Sequence, residues 1–513
     1  MPEREKPKRE KPEREKKDAL LHHWLTATAD ALPNHPALIE DERVTTFADL
    51  LCQARSLACL FQQNGIQKGD RIALVMPKTT EAIVSLFSSL FAGAICVPIH
   101  PQWPKDRVEA TLSDSGAKLV IDGDLPPPRI TDLRTRTEIP WPQGRRPSTF
   151  ANTEFPAIFP AMEARDPALM LFTSGSTGRP KGVVLSHRAI GAFASWSADQ
   201  FEITSKDRIA CPAPLSFDLS TLDIFNMALR GATCMIVPES IAWMPRFLVQ
   251  WLSTSGATCW YSVPSLLGGM LHQGKLEERH CRNLRLILFA GEVFPGPHLA
   301  RLRATVPHAL LANLYGPTET NVVTYYEVPQ DFDGAAPPPI GRACPYADVR
   351  VDPATGELLA GGESLMTGYW NRPDDTRRAF CELDGKTFYR TGDVVSVAPD
   401  GDYIFAGRLD RQVKRRGFRI ELGEIEAAFS RSDDILDAAA VSFDDSARGT
   451  MIAAFLHLRP GCEMPIADAK AHCARLLPLY MVPDRIMFLE AIPKGSRGKT
   501  DYAALKKLAE DAK

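Results

Sequence analysis

Apolar positions along this chain fall into two patterns. Short, wholly apolar runs, "DRIALVMP" (70–77), "AICVPIH" (94–100) and "AKLVID" (117–122), read as strands buried on both faces. The longer run "KTTEAIVSLFSSLFAG" (78–93) lies between the first two and reads as a helix. This alternation predicts a largely parallel α/β sheet. A second α/β run covers 168–330, with strands or buried edges at 168–172 and 183–185. The stretch 123–165 is rich in Pro and Arg and is expected to be an irregular surface excursion. After "AAPPPIGRACP" (335–345) the pattern turns β-rich and Gly-punctuated, as in "GELLAGGESLMTGYW" (356–370) and "DGDYIFAGRLD" (400–410). Beyond Asp410 a smaller α+β unit begins with "RRGFRIELGEIEAAFS" (415–430).

Two segments stand outside this pattern. "AIVSLFSSLFAGAICVPIH" (82–100) is long enough to span a membrane, but its serines, glycine and Pro98 break it up. A buried helix followed by a buried strand explains it better. Residues 1–18, "MPEREKPKREKPEREKKD", carry mixed charge, proline and almost no apolar side chains. They are expected to be a disordered charged tail and lack the apolar region of a secretory signal.

The 513 residues suggest more than one domain, and 44% hydrophobic content is ample for large cores. Lys+Arg 60 against Asp+Glu 63 gives a net charge of -3, which offers no case for nucleic acid or an anionic membrane as the main partner. The cysteines number 11, with no CxxC pair, so a disulfide framework and a zinc knuckle are not expected. A reducing, cytoplasmic location fits better.

Candidate chemistry enters with "LFTSGSTGRPKGVVLSH" (171–187), a Thr/Ser/Gly cluster held between two apolar runs. Such a loop can cradle phosphate with backbone amides and hydroxyls. A Walker A loop is disfavoured, because Lys181 is preceded by Pro180 and followed by Gly182. Further polar clusters follow: "NLYGPTET" (313–320), "YRTGD" (389–393), "GRLDRQVKRRGFRIELGEIE" (407–426), "LPLYMVP" (477–483) and "SRGKTD" (496–501).

In this order the clusters resemble the core motifs of the ANL superfamily of adenylate-forming enzymes, and most closely the adenylation domains of non-ribosomal peptide synthetases. "LFAGAICVPIHPQWPKDRVEATLSDSGAKLV" (90–120) resembles a further motif of that family. The resemblance covers about 20–510. It implies an α/β fold with a large N-terminal domain, 19–409, holding two parallel-type sheets and a β-rich subdomain. A small mobile α+β domain, 410–513, would follow.

The resemblance also implies roles. Thr173, Ser174, Gly175, Ser176, Thr177 and Gly178 match the phosphate loop, with Lys181 adding positive charge. Tyr315 would stack on adenine, with Asn313, Gly291, Gly316 and Phe405 also assigned to the nucleotide. Thr318 would contact phosphate and Glu319 would hold Mg²⁺, a hard cation that takes oxygen ligands. Asp393 would accept hydrogen bonds from the ribose hydroxyls, with Arg408 nearby. Lys499 matches the catalytic lysine, which stabilises charge on the attacked α-phosphate. "RGKTD" departs from the usual "NGK" pattern, so Lys494 and Arg497 are weaker candidates for the same role. Asp410 matches the hinge, and Gly417 the glycine that lets a pantetheine arm through.

Asp218, in "SFDLSTLDIF" (216–225), matches the aspartate that binds a substrate amino group. The alternative is that it caps a helix beginning at Leu219. Aligned pocket positions are Asp218, Leu219, Leu222, Tyr261, Leu288, Ala290, Leu314, Val322 and Val323, closed by Lys499. A mostly aliphatic wall excludes charged and strongly polar side chains. This set resembles that of stand-alone L-proline-activating members that load a carrier protein, except at Val323, where cysteine is expected. The expected activity is ATP-dependent, Mg²⁺-assisted activation of L-proline to prolyl adenylate. Transfer to the phosphopantetheine thiol of a carrier protein follows, and the carrier is expected to be separate because no carrier module follows Lys513. The competing readings are a ligase for D-alanine or another small aliphatic amino acid, a CoA ligase, or a non-catalytic adenylation-like scaffold.

Overall fold

The structure is a computed structural model that describes residues 20–512 except 124–126, 142–158, 176–179, 446–448 and 495–498. The charged tail expected over 1–18 lies outside the described residues, as do Ser176, Thr177, Gly178 and Arg497.

Two sheets with parallel centres dominate the described residues. One has eight strands, and its middle four, Pro167–Thr173, Ile95–Ile99, Arg71–Val75 and Leu119–Asp122, run parallel. The other has nine strands. Its parallel part runs through Leu310–Tyr315, Leu286–Ala290, Cys259–Ser262, Arg208–Cys211, Thr233–Ile236 and Pro36–Glu40. The three runs read as strands in "DRIALVMP", "AICVPIH" and "AKLVID" all form strands of the first sheet.

The run read as a helix forms Thr80–Phe91, and every residue of it is buried. Thr79 starts it by accepting a hydrogen bond from the Ala82 amide. Its serines survive burial because each hydroxyl bonds a carbonyl one turn back: Ser85 to Glu81, Ser88 to Val84 and Ser89 to Ser85. Phe87 meets Phe225 of the helix Ser220–Arg230 edge to face at 6.1 Å. The core around them draws residues from both sheets, including Leu38 and Cys234 from one and Ile72 and Leu169 from the other. No described helix is long and apolar enough to cross a membrane.

The β-rich part is antiparallel: Ala347–Val351, Glu357–Gly362, Lys386–Val397 and Phe380–Leu383, with Tyr403–Arg408 also paired to Lys386–Val397. The C-terminal part comprises the hairpin Gln412–Arg415 with Phe418–Glu421, and the sheet Ile435–Asp445, Gly449–Leu458 and Arg485–Phe488. It keeps its own cores, one built around Ile425, Phe429 and Met481 and another around Phe443 and Leu505.

The described part of the excursion 123–165 is more regular than expected. Arg129–Asp132 and Thr137–Ile139 form an antiparallel pair on the edge of the eight-stranded sheet. Asp132 closes the turn by accepting from the Arg134 amide at 2.8 Å.

Candidate active site

A cavity of about 80 Å³ opens where several strands end. Leu286–Ala290 leads into Gly291, Leu310–Tyr315 into Gly316, and Pro167–Thr173 into Ser174, and these residues line it. Open α/β sheets bind ligands at such carboxyl ends. Gly291 has φ +91°, a left-handed turn that glycine adopts without cost.

The substrate-side wall takes its geometry from strand register. Tyr261 pairs with Leu288, and Ala290 with Leu314. Residues two apart share a face, so Leu288 and Ala290 present together. Leu219, Leu222, Tyr261, Leu288, Ala290, Leu314 and Val322 belong to one apolar cluster. Leu219, Tyr261, Ala290 and Val322 reach the cavity itself, while Leu222, Leu288 and Leu314 pack behind it. Val323 falls in a different cluster, with Tyr315 and Ile340. Phe405 packs against that second cluster.

Asp218 lines the cavity and is 9% exposed. The helix that follows begins at Ser220 with no side-chain cap bond, so Asp218 does not act as its cap. The preceding segment is pinned by Lys78, whose buried ammonium donates to the carbonyls of Cys211 and of Ala213, the latter at 2.9 Å. Burial pushes the Asp218 carboxyl up to about 6, with Thr318 and Lys414 partly offsetting it. Tyr261 is pushed up by burial and by that neighbouring carboxylate.

On the nucleotide side, Tyr315 Oη donates to Asp393 Oδ2 at 2.5 Å, and Arg408 pairs with Asp393 Oδ1. Arg408 also holds Asp410 through two bonds, at 2.7 and 2.8 Å. Burial raises the Asp410 carboxyl, but the Arg408 guanidinium outweighs it and holds it low. Asn313 donates to the Pro339 carbonyl at 2.8 Å. Thr173, Ser174, Gly316, Thr318, Asp393 and Arg408 all line the cavity. Lys181 does not: it lies 3.7 Å from Asp375 and above the Tyr369 ring.

Residues that sequence reasoning missed complete the site, and three of them, Lys414, Phe418 and Arg419, come from the C-terminal hairpin. Arg419 Nη1 donates to Glu319 Oε1 at 2.8 Å and Oε2 at 2.9 Å. Tyr369 Oη donates to Glu319 Oε1 at 2.7 Å. Burial pushes the Glu319 carboxyl up, but Arg419, Tyr369 and Tyr389 together hold it below the usual range. The Arg419 carbonyl accepts from Ser174 Oγ at 2.6 Å, which ties the phosphate loop to the hairpin. Lys414 lies 5.2 Å from the Tyr315 ring centre, the face expected to carry adenine. Gly417, which the sequence did single out, lines the cavity beside them, and its amide donates to Glu292 at 2.9 Å. Phe418 stacks on Phe217 at 5.5 Å and on Tyr480 at 3.7 Å. The signal for Lys414, Phe418 and Arg419 was the motif "GRLDRQVKRRGFRIELGEIE", which marks the segment but not which side chains enter the pocket.

Lys499 is exposed and outside the cavity lining, so it does not close the pocket in this arrangement. Lys494 pairs with Asp437 at 2.8 Å and is likewise outside the lining. The physical reason is the docking of the small domain. It holds the Gly417 hairpin against the cavity through the Gly417–Glu292 and Arg419–Glu319 contacts, and Lys499 stays outside the lining.

Among the described residues, no group of three or more His, Cys, Asp or Glu side chains is placed to hold a metal. Glu319 does offer oxygens of the kind that suits Mg²⁺. Both are engaged by Arg419.

The sequence model described as AMP-binding enzyme matches residues 25–370, and that of the AMP-binding enzyme C-terminal domain matches 424–499. The chain is 36% identical to an L-proline--[L-prolyl-carrier protein] ligase of Streptomyces coelicolor, covering 92% of this chain and 93% of that one. It is 35% identical to a ligase of the same name from Pseudomonas fluorescens, covering 96% and 99%. Among solved structures it is similar to holo-PA1221, an NRPS protein containing adenylation and PCP domains bound to a vinylsulfonamide inhibitor. The TM-score there is 0.80 at 26% identity, with 95% of this chain and 84% of that one covered.

Proposed function

The chain belongs to the AMP-binding enzyme family and is an AMP-forming ligase, and we propose that the acid it activates is L-proline, delivered as a thioester to the phosphopantetheine arm of a carrier protein. The observation that carries this reading is Asp218, a buried carboxylate that lines the cavity beside the apolar wall of Leu219, Tyr261, Ala290 and Val322. A carboxylate in that position needs a cationic partner, and the amino group of an amino acid supplies one. The names of the two relatives above point to proline among amino acids.

In the first half-reaction a substrate carboxylate oxygen attacks the α-phosphorus of ATP, and pyrophosphate leaves. Asp218 holds the ammonium, and Leu219, Tyr261, Ala290 and Val322 enclose the ring. Thr173, Ser174 and Thr318 donate to phosphate oxygens. Asp393 accepts from the ribose hydroxyls with lone pairs that Tyr315 and Arg408 leave free. Glu319 would hold Mg²⁺, which adds positive charge at the phosphate oxygens when bound. Lys499 stabilises charge on the α-phosphate, and this requires the small domain to turn about Asp410 from the arrangement described above. In the second half-reaction the thiol attacks the acyl carbon and AMP leaves. Gly417, facing the cavity, gives the arm passage. We place the boundary between the domains, 19–409 and 410–513, at that hinge.

Amino-acid-dependent pyrophosphate exchange across the common amino acids tests the reading. L-proline is expected to rank first, ahead of 4-hydroxyproline, serine, threonine and alanine. A hydroxyl against this wall loses water without replacement, at a cost of about 1–3 kcal/mol. If alanine or a branched aliphatic acid ranks above proline, the proline assignment fails. If only acids without an amino group are activated, the role given to Asp218 fails with it.

A further inference from the structure

We infer that Arg419 and Mg²⁺ are alternative cations for the Glu319 carboxylate, so that metal binding and docking of the C-terminal hairpin exclude one another. The inference rests on the functional reading above, in which Glu319 is the metal ligand. Glu319 is 1% exposed and belongs to the large domain, while Arg419 sits in the strand Phe418–Glu421. One guanidinium nitrogen reaches both carboxylate oxygens, at 2.8 and 2.9 Å, and also lies 3.3 Å from Tyr389 Oη. Tyr369 takes a further lone pair of Oε1. A carboxylate so engaged cannot accept a dication on the same oxygens with a guanidinium still between them, since two cations there would repel.

The converse also holds. A carboxylate this buried is costly to leave without a cation. When metal and pyrophosphate depart, Arg419 supplies the replacement charge, and in doing so it brings its hairpin into the cavity. The same strand then delivers the Arg419 carbonyl to Ser174 in the phosphate loop at 2.6 Å. Gly417 moves with it to the Glu292 carboxylate at 2.9 Å. Arg419 is thus a positioning residue: it times the arrival of the Gly417 hairpin to the loss of the metal.

Hydrogen exchange of the full chain reads this directly. The probes are a non-hydrolysable ATP analogue with a chelator, and the same analogue with Mg²⁺. In the wild type, amides of 412–421 are expected to be protected without metal and to exchange about fivefold or more faster with it, the low end of coupling between two linked sites. In Arg419→Gln these amides should exchange fast in both conditions, and Arg419→Lys should fall between. Unchanged protection of the strand Gly449–Leu458 checks that the small domain stays folded. Half-saturating Mg²⁺ in pyrophosphate exchange should also fall in Arg419→Gln. Equal wild-type protection with and without metal, or full protection in Arg419→Gln, overturns the inference. A chain with no amino-acid-dependent exchange would instead sink the functional reading, and the hydrogen-exchange result would still decide between metal and arginine.

Discussion

Arg107 Nη1 and Glu424 Oε1 meet at 2.5 Å across the interface between the large and small domains, and both side chains are buried. The Arg107 guanidinium also lies over the Trp103 ring at 4.9 Å. Leaving one member of such a pair buried alone costs about 3–5 kcal/mol. If the small domain turns as proposed, the orphan is rehydrated, and the loss should appear as a shift in arrangement rather than unfolding. Glu424→Gln is expected to lower thioester formation on a carrier protein by about tenfold or more, equivalent to 1.4 kcal/mol, while pyrophosphate exchange holds. Parallel assays of the two half-reactions check this; equal losses in both would remove the pair from any role in the second step.

Gly417 has φ +77°, and a Cβ built there meets Val263 and lies 3.0 Å from the Phe217 ring. Gly417→Ala should therefore obstruct docking of the hairpin as well as passage of the arm. Exchange of pyrophosphate should survive and thioester formation should fall sharply. Val263→Ala in the same background should restore part of it by making room. No recovery would mean that backbone strain, roughly 1–2 kcal/mol for a left-handed non-glycine residue, accounts for the defect.

The raised Asp218 carboxyl gives a pH signature. Below about 6 it is neutral in the free enzyme and no longer attracts an ammonium. The value of kcat/KM for the amino acid should therefore fall as pH drops through that value, since this ratio reports groups of the free enzyme. Asp218→Asn should weaken amino-acid use strongly and flatten the profile, while nucleotide binding survives. A profile of unchanged shape in that variant would assign the break to another group.

Lys499→Ala should remove most adenylation, by about two to three orders of magnitude, as for loss of one electrostatic contact to a transition state. Use of preformed prolyl adenylate should persist, because Lys499 is outside the cavity when Gly417 faces it. Near-normal pyrophosphate exchange in the variant would move the role to Lys494 or Arg497.

Much of this was legible in the chain. The wholly apolar runs at Arg71–Val75, Ile95–Ile99 and Leu119–Asp122 had no polar face to present to water, so a doubly covered sheet was the available solution. Asp218, Tyr261 and Ala290 were placed by motif and do line the cavity. The partner of Glu319 was not legible. It lies 100 residues away, and which side chain of the hairpin enters the pocket depends on how two domains dock. No periodicity within one segment encodes that. The edge pair Arg129–Asp132 and Thr137–Ile139 escaped for a simpler reason: its strands are short and half solvated, and Pro and Arg around them dominate the composition.

The stack of Phe217 on Phe418 has a bearing on redesign. Phe217 immediately precedes Asp218, so a residue inside the proposed selectivity segment is also a surface on which the Gly417 hairpin docks. Transplanting the whole 216–222 segment from an enzyme with another amino-acid preference would change two properties together. Such a chimera could form its adenylate and then fail to hand it on. Altering Leu219 and Leu222 while keeping Phe217 separates the choice of cargo from its delivery.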